Sequence, residues 1–251
     1  MRFKATKSLL LSVLFLIGCN VAKADGACDP DFNNSEKMFV VCVDEAEQGH
    51  AEAQRNLAVM YYLGEGTAQD YKAAIHWFTK AAEQGHALAQ ASLALMYQTG
   101  QGTAQDYKAA FNWNIKAAKQ GHDGAQWSLA LMYYDGEGTA QDYEVAIRWC
   151  TKAAEQGFHF AQFSLAQMYY NGEGTTQDYK AAIHWFTKAA EQGLATAQNS
   201  QALMYQNGEG TTQDYKAAFN WNMKAAKQGY DIAQYNLGIK LLWRRDCSGL
   251  Y

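Results

Sequence analysis

Six histidines and five cysteines are the residues of this 251-residue chain best suited to metal binding or redox chemistry. A zinc site needs three or four such ligands, and some of them stand at short, fixed spacings. No H-E-x-x-H arrangement is present, and the histidines occur singly, at His50, His76, His86, His122, His159 and His184. The sequence therefore predicts helix-surface histidines, no metal site and no cofactor.

The motifs of serine hydrolases are missing from the sequence as well. Such enzymes carry Ser-x-x-Lys with Lys-Thr-Gly, or Gly-x-Ser-x-Gly at a strand-to-helix turn, and none of these motifs occurs here. The segment Gly64-Glu65-Gly66 has a helical pattern before it and recurs along the chain, so it is a turn and not a phosphate-binding loop. We expect no enzymatic activity.

Residues 1–18 are typical of a bacterial export signal. Basic residues precede the short apolar run LLLSVLFLI, which is about half of the ~20 residues that a membrane-spanning helix needs. Two cleavage sites compete within residues 1–24. The segment LIGC resembles a lipobox, in which Cys19 is lipidated, whereas AKA resembles an ordinary signal peptidase site that ends at Ala24. We favour the lipobox because it lies directly where the apolar run ends.

Export determines the charge of the mature protein and restricts its partners. The whole chain has 21 basic and 25 acidic residues, and cleavage before Cys19 removes three basic ones, which leaves a net charge of −7. Phosphate backbones repel an acidic chain, so we expect no nucleic-acid partner. The predicted location is the periplasm or outer membrane, alternatively the exterior, and the only membrane contact expected is the N-terminal lipid anchor.

An oxidising compartment also permits disulfides. Cys28 and Cys42 are close in sequence, and a bridge between them attaches an N-terminal leader, residues 25–35, to the first helix. Cys150 and Cys247 are separated by nearly three of the repeats described below, which is too far for a bridge between stacked helices. We predict a Cys28–Cys42 disulfide and a buried free thiol at Cys150.

The chain is built from a repeat of 36 residues. This repeat forms the scaffold that positions the side chains discussed above. Tryptophan recurs at this interval, at Trp77, Trp113, Trp149, Trp185 and Trp221. One unit, Ala51 to Gly85, predicts two helices over 51–63 and 71–84, with Asp70 as an N-cap and glycines at the C-caps. Helices this short are stable only when they stack on neighbours.

Five full units are flanked by a lone second helix that begins at Glu36 and a lone first helix that ends at Trp243. The pattern predicts an all-α solenoid of twelve stacked, antiparallel helices over residues 36–243, followed by a C-terminal tail at 244–251. The two-glycine loop is missing after the last helix, which is typical of a terminal cap.

The repeated residues resemble the Sel-one-like repeat family, a relative of the tetratricopeptide repeats. The matching features are A-Q-x-x-L-A-x-M-Y, then Gly-Glu-Gly, then Asp-Tyr-Lys-Ala-Ala and the segment from Trp77 to Gly85. The resemblance implies a right-handed α/α superhelix that acts as a protein-interaction adaptor, at the bacterial envelope or in contact with a host. This chain departs from the family at Gln201, which replaces a core leucine, and at Asn114 and Asn222, which replace an aromatic residue.

One branch of that family is linked to β-lactam binding and hydrolysis, but the paired cysteines that mark the branch are absent from these repeats. A hydrolase acting on β-lactams or peptidoglycan fragments therefore stays an alternative without a visible catalytic group. A purely structural spacer is the third possibility.

The resemblance further implies that the side of the first helix opposite its repeated core lines a concave groove. Variable residues there are richest in aromatic rings in the third and fourth units, namely Trp127, Leu131, Tyr134, Phe160, Phe163 and Tyr170. Solvent-facing rings at these positions indicate a partner surface, whereas the alternative is that they pack together as additional core. We predict that the groove binds a protein or peptide.

Overall fold

The structure, a computed structural model, describes residues 35–238. This part of the chain contains helices, turns and loops and no strand. The predicted signal and tail, residues 25–34 of the predicted leader, and Cys19 and Cys28 lie outside the described residues. Residues 231–238 are helical and follow eleven complete helices. These are α1 (Ser35–Glu47), α2 (Ala51–Leu63), α3 (Tyr71–Glu83), α4 (Ala87–Thr99), α5 (Tyr107–Lys119), α6 (Asp123–Asp135), α7 (Tyr143–Glu155), α8 (His159–Asn171), α9 (Tyr179–Glu191), α10 (Ala195–Asn207) and α11 (Tyr215–Lys227).

The chain divides into two compact units, Met1–Gln141 and Asp142–Tyr251. In the first unit, each helix from α1 to α6 packs against the next one along the chain, and the same holds in the second unit from α7 to α11. Each repeat thus contributes a first helix and a second helix, as α2 and α3 do in the first repeat. This recurrent pairing confirms the predicted all-α solenoid class.

Local signals at the helix ends explain why the elements begin and end where the sequence predicted. The Asp70 carboxylate accepts hydrogen bonds from the backbone amides of Lys72 and Ala73, at 2.9 and 3.1 Å, which satisfies two of the free N–H groups of α3. Gly64 ends α2 in a left-handed conformation, with φ of 77°, and its N–H bonds to the Met60 carbonyl. The same caps recur in the other repeats.

Small and branched apolar residues at the repeated positions form the core. Leu57, Leu93, Leu129 and Leu165 are fully buried, and alanines such as Ala58 and Ala74 let adjacent helices approach closely. In the fifth repeat Gln201 takes the leucine position and is also buried, with an exposed fraction of 1%. Its Nε2 donates to the Thr187 hydroxyl at 2.8 Å, while its Oε1 has no hydrogen-bond partner among the described residues.

Buried glutamines tie consecutive repeats together. Gln54 Nε2 donates to the Ala46 carbonyl of the preceding second helix at 3.1 Å, and its Oε1 accepts from Gln84 Nε2 at 2.7 Å. The same pair of bonds links Gln90 to Ala82 and Gln120, and Gln198 to Ala190 and Gln228. The repeated glutamine therefore satisfies buried backbone carbonyls and holds adjacent repeats in register.

Each repeated tryptophan is half-buried, and a lysine one turn later lies over its ring. The Lys80 Nζ stands 4.4 Å from the centroid of Trp77, and the five such distances range from 3.8 to 4.6 Å. Each of these cation–π contacts shields one face of a tryptophan ring. No helix within residues 35–238 has both the length and the apolar content of a membrane span.

Candidate interaction surface

The six residues predicted to line the groove are less exposed than expected. Trp127 has an exposed fraction of 4%, so the expectation that its ring faces solvent is wrong. The other five residues of the predicted set, Leu131, Tyr134, Phe160, Phe163 and Tyr170, are half-buried. The first three members of the set belong to the first unit and the last three to the second. Their role in binding a partner stays a prediction.

The packing of Phe163 shows why this side of the first helix is covered. Its ring centroid lies 5.6 Å from that of Phe186, on the second helix of the same repeat. It also packs against Ala189, Ala190 and Ala197. Three of the equivalent positions, Arg55, Ala91 and Asn199, are buried as well. Trp127 and Phe163 are therefore better described as additional core residues than as solvent-facing residues of a groove.

Tyr170 illustrates a second structural role for the predicted groove residues. Its ring packs against Tyr179 at 5.1 Å between centroids, and its hydroxyl donates to Glu209 Oε2 at 3.2 Å. Burial raises the pKa of the Tyr170 hydroxyl, and the nearby Glu209 carboxylate raises it further. In the first unit, Tyr62 makes the equivalent hydrogen bond, in which its hydroxyl donates to Gln101 Oε1 at 2.9 Å. These tyrosines anchor the two-glycine loop of the following repeat.

The second glycine of that loop lies directly on the first turn of the preceding second helix. A Cβ atom on Gly102 would stand 2.6 Å from the Tyr71 carbonyl oxygen, a distance that real Cβ atoms do not reach. Gly138 lies in the same way on Tyr107, and Gly210 on Tyr179. The sequence identified these glycines only as turn residues, since their contact partner belongs to another repeat.

The equivalent residues of α11 are more exposed. Tyr215 has an exposed fraction of 60% and Phe219 of 39%, whereas Phe111, the counterpart of Phe219 in α5, is half-buried with its ring 5.2 Å from that of Tyr133. We call Tyr215, Phe219, Trp221, Lys224 and Lys227 the α11 face. All but Tyr215 line a pocket of about 610 Å³.

The charge of α11 is uniformly positive. The helix contains Lys216, Lys224 and Lys227 and neither aspartate nor glutamate. The Lys224 Nζ lies 3.8 Å from the centroid of Trp221.

A buried charged group in the first unit was missed by the sequence analysis. Arg55 has an exposed fraction of 4% and donates from Nη1 to Asn56 Oδ1 at 2.7 Å. The Glu52 carboxylate lies 3.7 Å from Arg55 Nε and 2.7 Å from His86 Nε2. Burial lowers the pKa of Arg55, and the hydrogen bond from His86 is the main reason that the pKa of Glu52 is also lowered. This group joins α2 to the residue before α4.

The described cysteines and the two asparagines at the aromatic position are part of the packed interior. Cys150 is a free, buried thiol, as predicted, and burial raises its pKa far above the ordinary value. Cys42 takes part in a disulfide, while its predicted partner Cys28 lies outside the described residues. Asn114 donates to the Ser128 hydroxyl at 3.0 Å, and the amide of Asn222 has no partner among the described residues. Within residues 35–238, no cluster of three or more potential metal ligands is found.

Comparison with known proteins supports the repeat assignment. A family model described as the Sel1 repeat matches residues 51–86, 87–122, 124–158, 159–194 and 195–230. No curated protein matches the chain significantly.

Two bacterial proteins of known structure are similar over most of this chain. One is a protective antigen present in uropathogenic Escherichia coli strains and displaying an SLR fold, with 35% identity and a TM-score of 0.76 over 81% of this chain. The chain spans 44% of the length of that antigen. The other is a Sel1 repeat protein from Oxalobacter formigenes, with 31% identity and a TM-score of 0.75 over 79% of each chain.

Proposed function

Since this chain belongs to the Sel1 repeat family, whose members are typically scaffolds for protein–protein interaction, we propose that it is an exported, non-catalytic scaffold that binds a partner protein through the C-terminal part of its second unit. The repeats supply the helical scaffold, and the partner binds where the second unit leaves apolar side chains uncovered.

The distribution of exposed apolar residues carries this proposal. Among the large apolar side chains exposed in the described residues, five are found from the fifth repeat onward, namely Leu203, Tyr215, Phe219, Ile232 and Tyr235. Exposed apolar patches on water-soluble domains mark interaction sites, and aromatic residues dominate the energetics of such sites. Tyr235, with an exposed fraction of 69%, occupies the position at which Trp127 is buried.

A hydrolase is less well supported. The chain lacks the serine-hydrolase motifs, and the only described free cysteine, Cys150, is buried with a raised pKa, so it is a poor nucleophile. A spacer that binds nothing does not need exposed rings at Tyr215 and Tyr235.

Site-specific photo-crosslinking in the native bacterium tests the scaffold proposal. A benzophenone amino acid placed at Tyr235 or Leu203 should yield a specific crosslinked partner, because these side chains are exposed. The matched control is the same probe at Val40, an exposed residue of the first unit. A crosslink pattern that is identical at Val40 and Tyr235, or absent at both Tyr235 and Leu203, would contradict the proposal.

The export part of the proposal rests on the N-terminal sequence. If Cys19 is lipidated, the mature protein labels with a palmitate analogue and partitions into detergent, and Cys19→Ala abolishes both properties. A mature N-terminus at Asp25, found by mass spectrometry, would instead establish ordinary signal cleavage and remove the lipid anchor.

A further inference from the structure

We propose that the solvent-facing sides of α3 and α5, in the first unit, form a second interaction surface, which binds an acidic segment of a partner protein. The surface consists of Lys72 and Lys80 on α3 and of Lys108, Lys116 and Lys119 on α5, and we call it the lysine face. This inference goes beyond the proposed scaffold function, which places its partner on the second unit.

Positive charge is confined to one kind of helix. Among residues 35–238, the first helices and the loops carry no lysine or arginine except Arg55, which is buried. Residues 35–141 contain twelve carboxylate side chains, but α3 has only Glu83 and α5 has none. An otherwise acidic unit therefore presents one cationic surface.

The five lysines belong to neighbouring helices of the first unit. Both α3 and α5 pack against α4, and Trp113 of α5 packs against the core cluster that contains Ala81 of α3. Lys108 and Lys116 occupy the same repeat positions as the two lysines of α3. Residues eight apart lie about 12 Å from each other along a helix axis, so the lysine face offers regularly spaced ammonium groups on two adjacent helices.

The lysines are available to an external carboxylate. All five are exposed, and none of them forms an ion pair with a carboxylate of the described residues. The Asp106 carboxylate, just before α5, is engaged as the N-cap and accepts a hydrogen bond from the Ala109 backbone amide at 2.9 Å. Carboxylates of a partner complement such a surface, and the attraction acts on both the rate and the specificity of association.

An acidic polypeptide fits this face better than a membrane or a nucleic acid. Large exposed apolar residues, which anchor a helix at a bilayer interface, occur on neither α3 nor α5. Single-stranded nucleic acids stack their bases on open aromatic rings, whereas the Trp77 and Trp113 rings are half-buried and each has a lysine over one face. The acidic segment of a folded partner contacts the face locally, where the potential is positive.

Carbodiimide crosslinking to an acidic peptide tests the inference on the mature chain without a lipid anchor. The probe is fluorescein-labelled oligoglutamate, whose activated carboxyl groups form amides with nearby lysine amines while the carbodiimide leaves as a urea. Mass spectrometry should find Lys116 labelled at least fivefold more often than Lys152. Lys152 is the matched control, because it also lies over a tryptophan, 4.3 Å from the Trp149 centroid, but its helix carries Glu144 and Glu155.

Fluorescence anisotropy of the same peptide identifies the charges that matter. The double substitution Lys116→Gln with Lys119→Gln should weaken binding by about fivefold, the size expected for the loss of two exposed charge pairs. The double substitution Arg148→Gln with Lys152→Gln removes the same number of charges from α7 and should weaken binding by less than about twofold. All four side chains are exposed, and circular dichroism should show that both variants keep the helical fold.

Four results would overturn the inference: no binding of oligoglutamate, equal binding of oligoglutamine, equal labelling of Lys116 and Lys152, or equal losses in the two double variants. Sedimentation of the chain with phosphatidylglycerol vesicles, if the α5 substitutions abolish it, would also overturn the inference, because the face would then bind a membrane. The crosslinks at Tyr235 and Leu203 test the scaffold proposal separately, since those residues belong to the second unit.

Discussion

Gly210 packs directly onto the backbone carbonyl of Tyr179, so closely that a Cβ atom at this position would overlap the oxygen. Gly210 also has a φ of 71°. Gly193 provides a matched comparison, because its φ is 93° but nothing lies within 4 Å of an added Cβ. Alanine substitutions at the two glycines therefore separate two free-energy costs. One is the cost of a left-handed backbone at a residue with a side chain, and the other is the cost of the overlap with the carbonyl.

We predict that Gly193→Ala lowers the free energy of unfolding by roughly 1 kcal/mol, the cost of a left-handed alanine. Gly210→Ala should lower it by roughly 1–3 kcal/mol more, because the loop must move away from α9. Urea denaturation followed by circular dichroism measures both values. Equal effects of the two substitutions would show that the loop tolerates a side chain at Gly210.

Trp127→Ala should destabilise the protein by about 3–5 kcal/mol, because the ring is buried and its removal leaves a cavity. Tyr235 occupies the same repeat position with an exposed fraction of 69%, so Tyr235→Ala should change the free energy of unfolding by less than about 0.5 kcal/mol. Denaturation curves of the two variants give the comparison. Similar stability of both variants would indicate that Trp127 is dispensable to the core.

Gln201→Leu should stabilise the protein by about 1 kcal/mol. The substitution removes a buried carbonyl oxygen that has no partner among the described residues, and it restores the leucine found at this position in the other four full repeats. The reverse change, Leu165→Gln, should destabilise the protein. Calorimetric melting temperatures that fall for Gln201→Leu would show that the bond to Thr187 outweighs the unpaired oxygen.

Glu52→Gln should destabilise the protein at neutral pH by roughly 1–2 kcal/mol, since it leaves the buried Arg55 without its carboxylate. The pKa of Glu52 is lowered in the folded state by the hydrogen bond from His86. Its contribution is therefore complete above the ordinary pKa of 4.5 and is lost as the pH falls through the lower folded-state value.

Stability measured from pH 7 down to pH 3 checks this dependence. The difference between the wild type and Glu52→Gln should shrink as the pH falls. The exposed Glu36, changed to glutamine, is the control and should show no such convergence. A difference that stays constant across the range would rule out a role for the Glu52 charge.

Peptide mapping under non-reducing conditions should identify Cys42 in a disulfide with Cys28 and Cys150 as a thiol that alkylates only after unfolding. Closure of this loop contributes roughly 3 kcal/mol in the chain-entropy model, so Cys42→Ser should lower the melting temperature. Detection of Cys28 as an alkylated free thiol would make a different cysteine the partner of Cys42.

Local signals in the sequence are sufficient to predict the helices, their caps and their class of packing. These features depend on local chemistry: the Asp70 carboxylate bonds to amides two and three residues away, and Gly64 ends its helix through its own backbone conformation. Repetition of these signals every 36 residues made the solenoid class and the positions of the core leucines predictable.

Which variable positions are buried depends on contacts between helices. Trp127 and Tyr235 stand in the same register of the repeat, yet one is buried and the other is exposed. Phe163 of this register packs against Phe186, on the second helix of its own repeat, and the described residues contain no second helix after Tyr235. Burial at such a position is a property of a pair of helices, so the sequence of one helix cannot specify it.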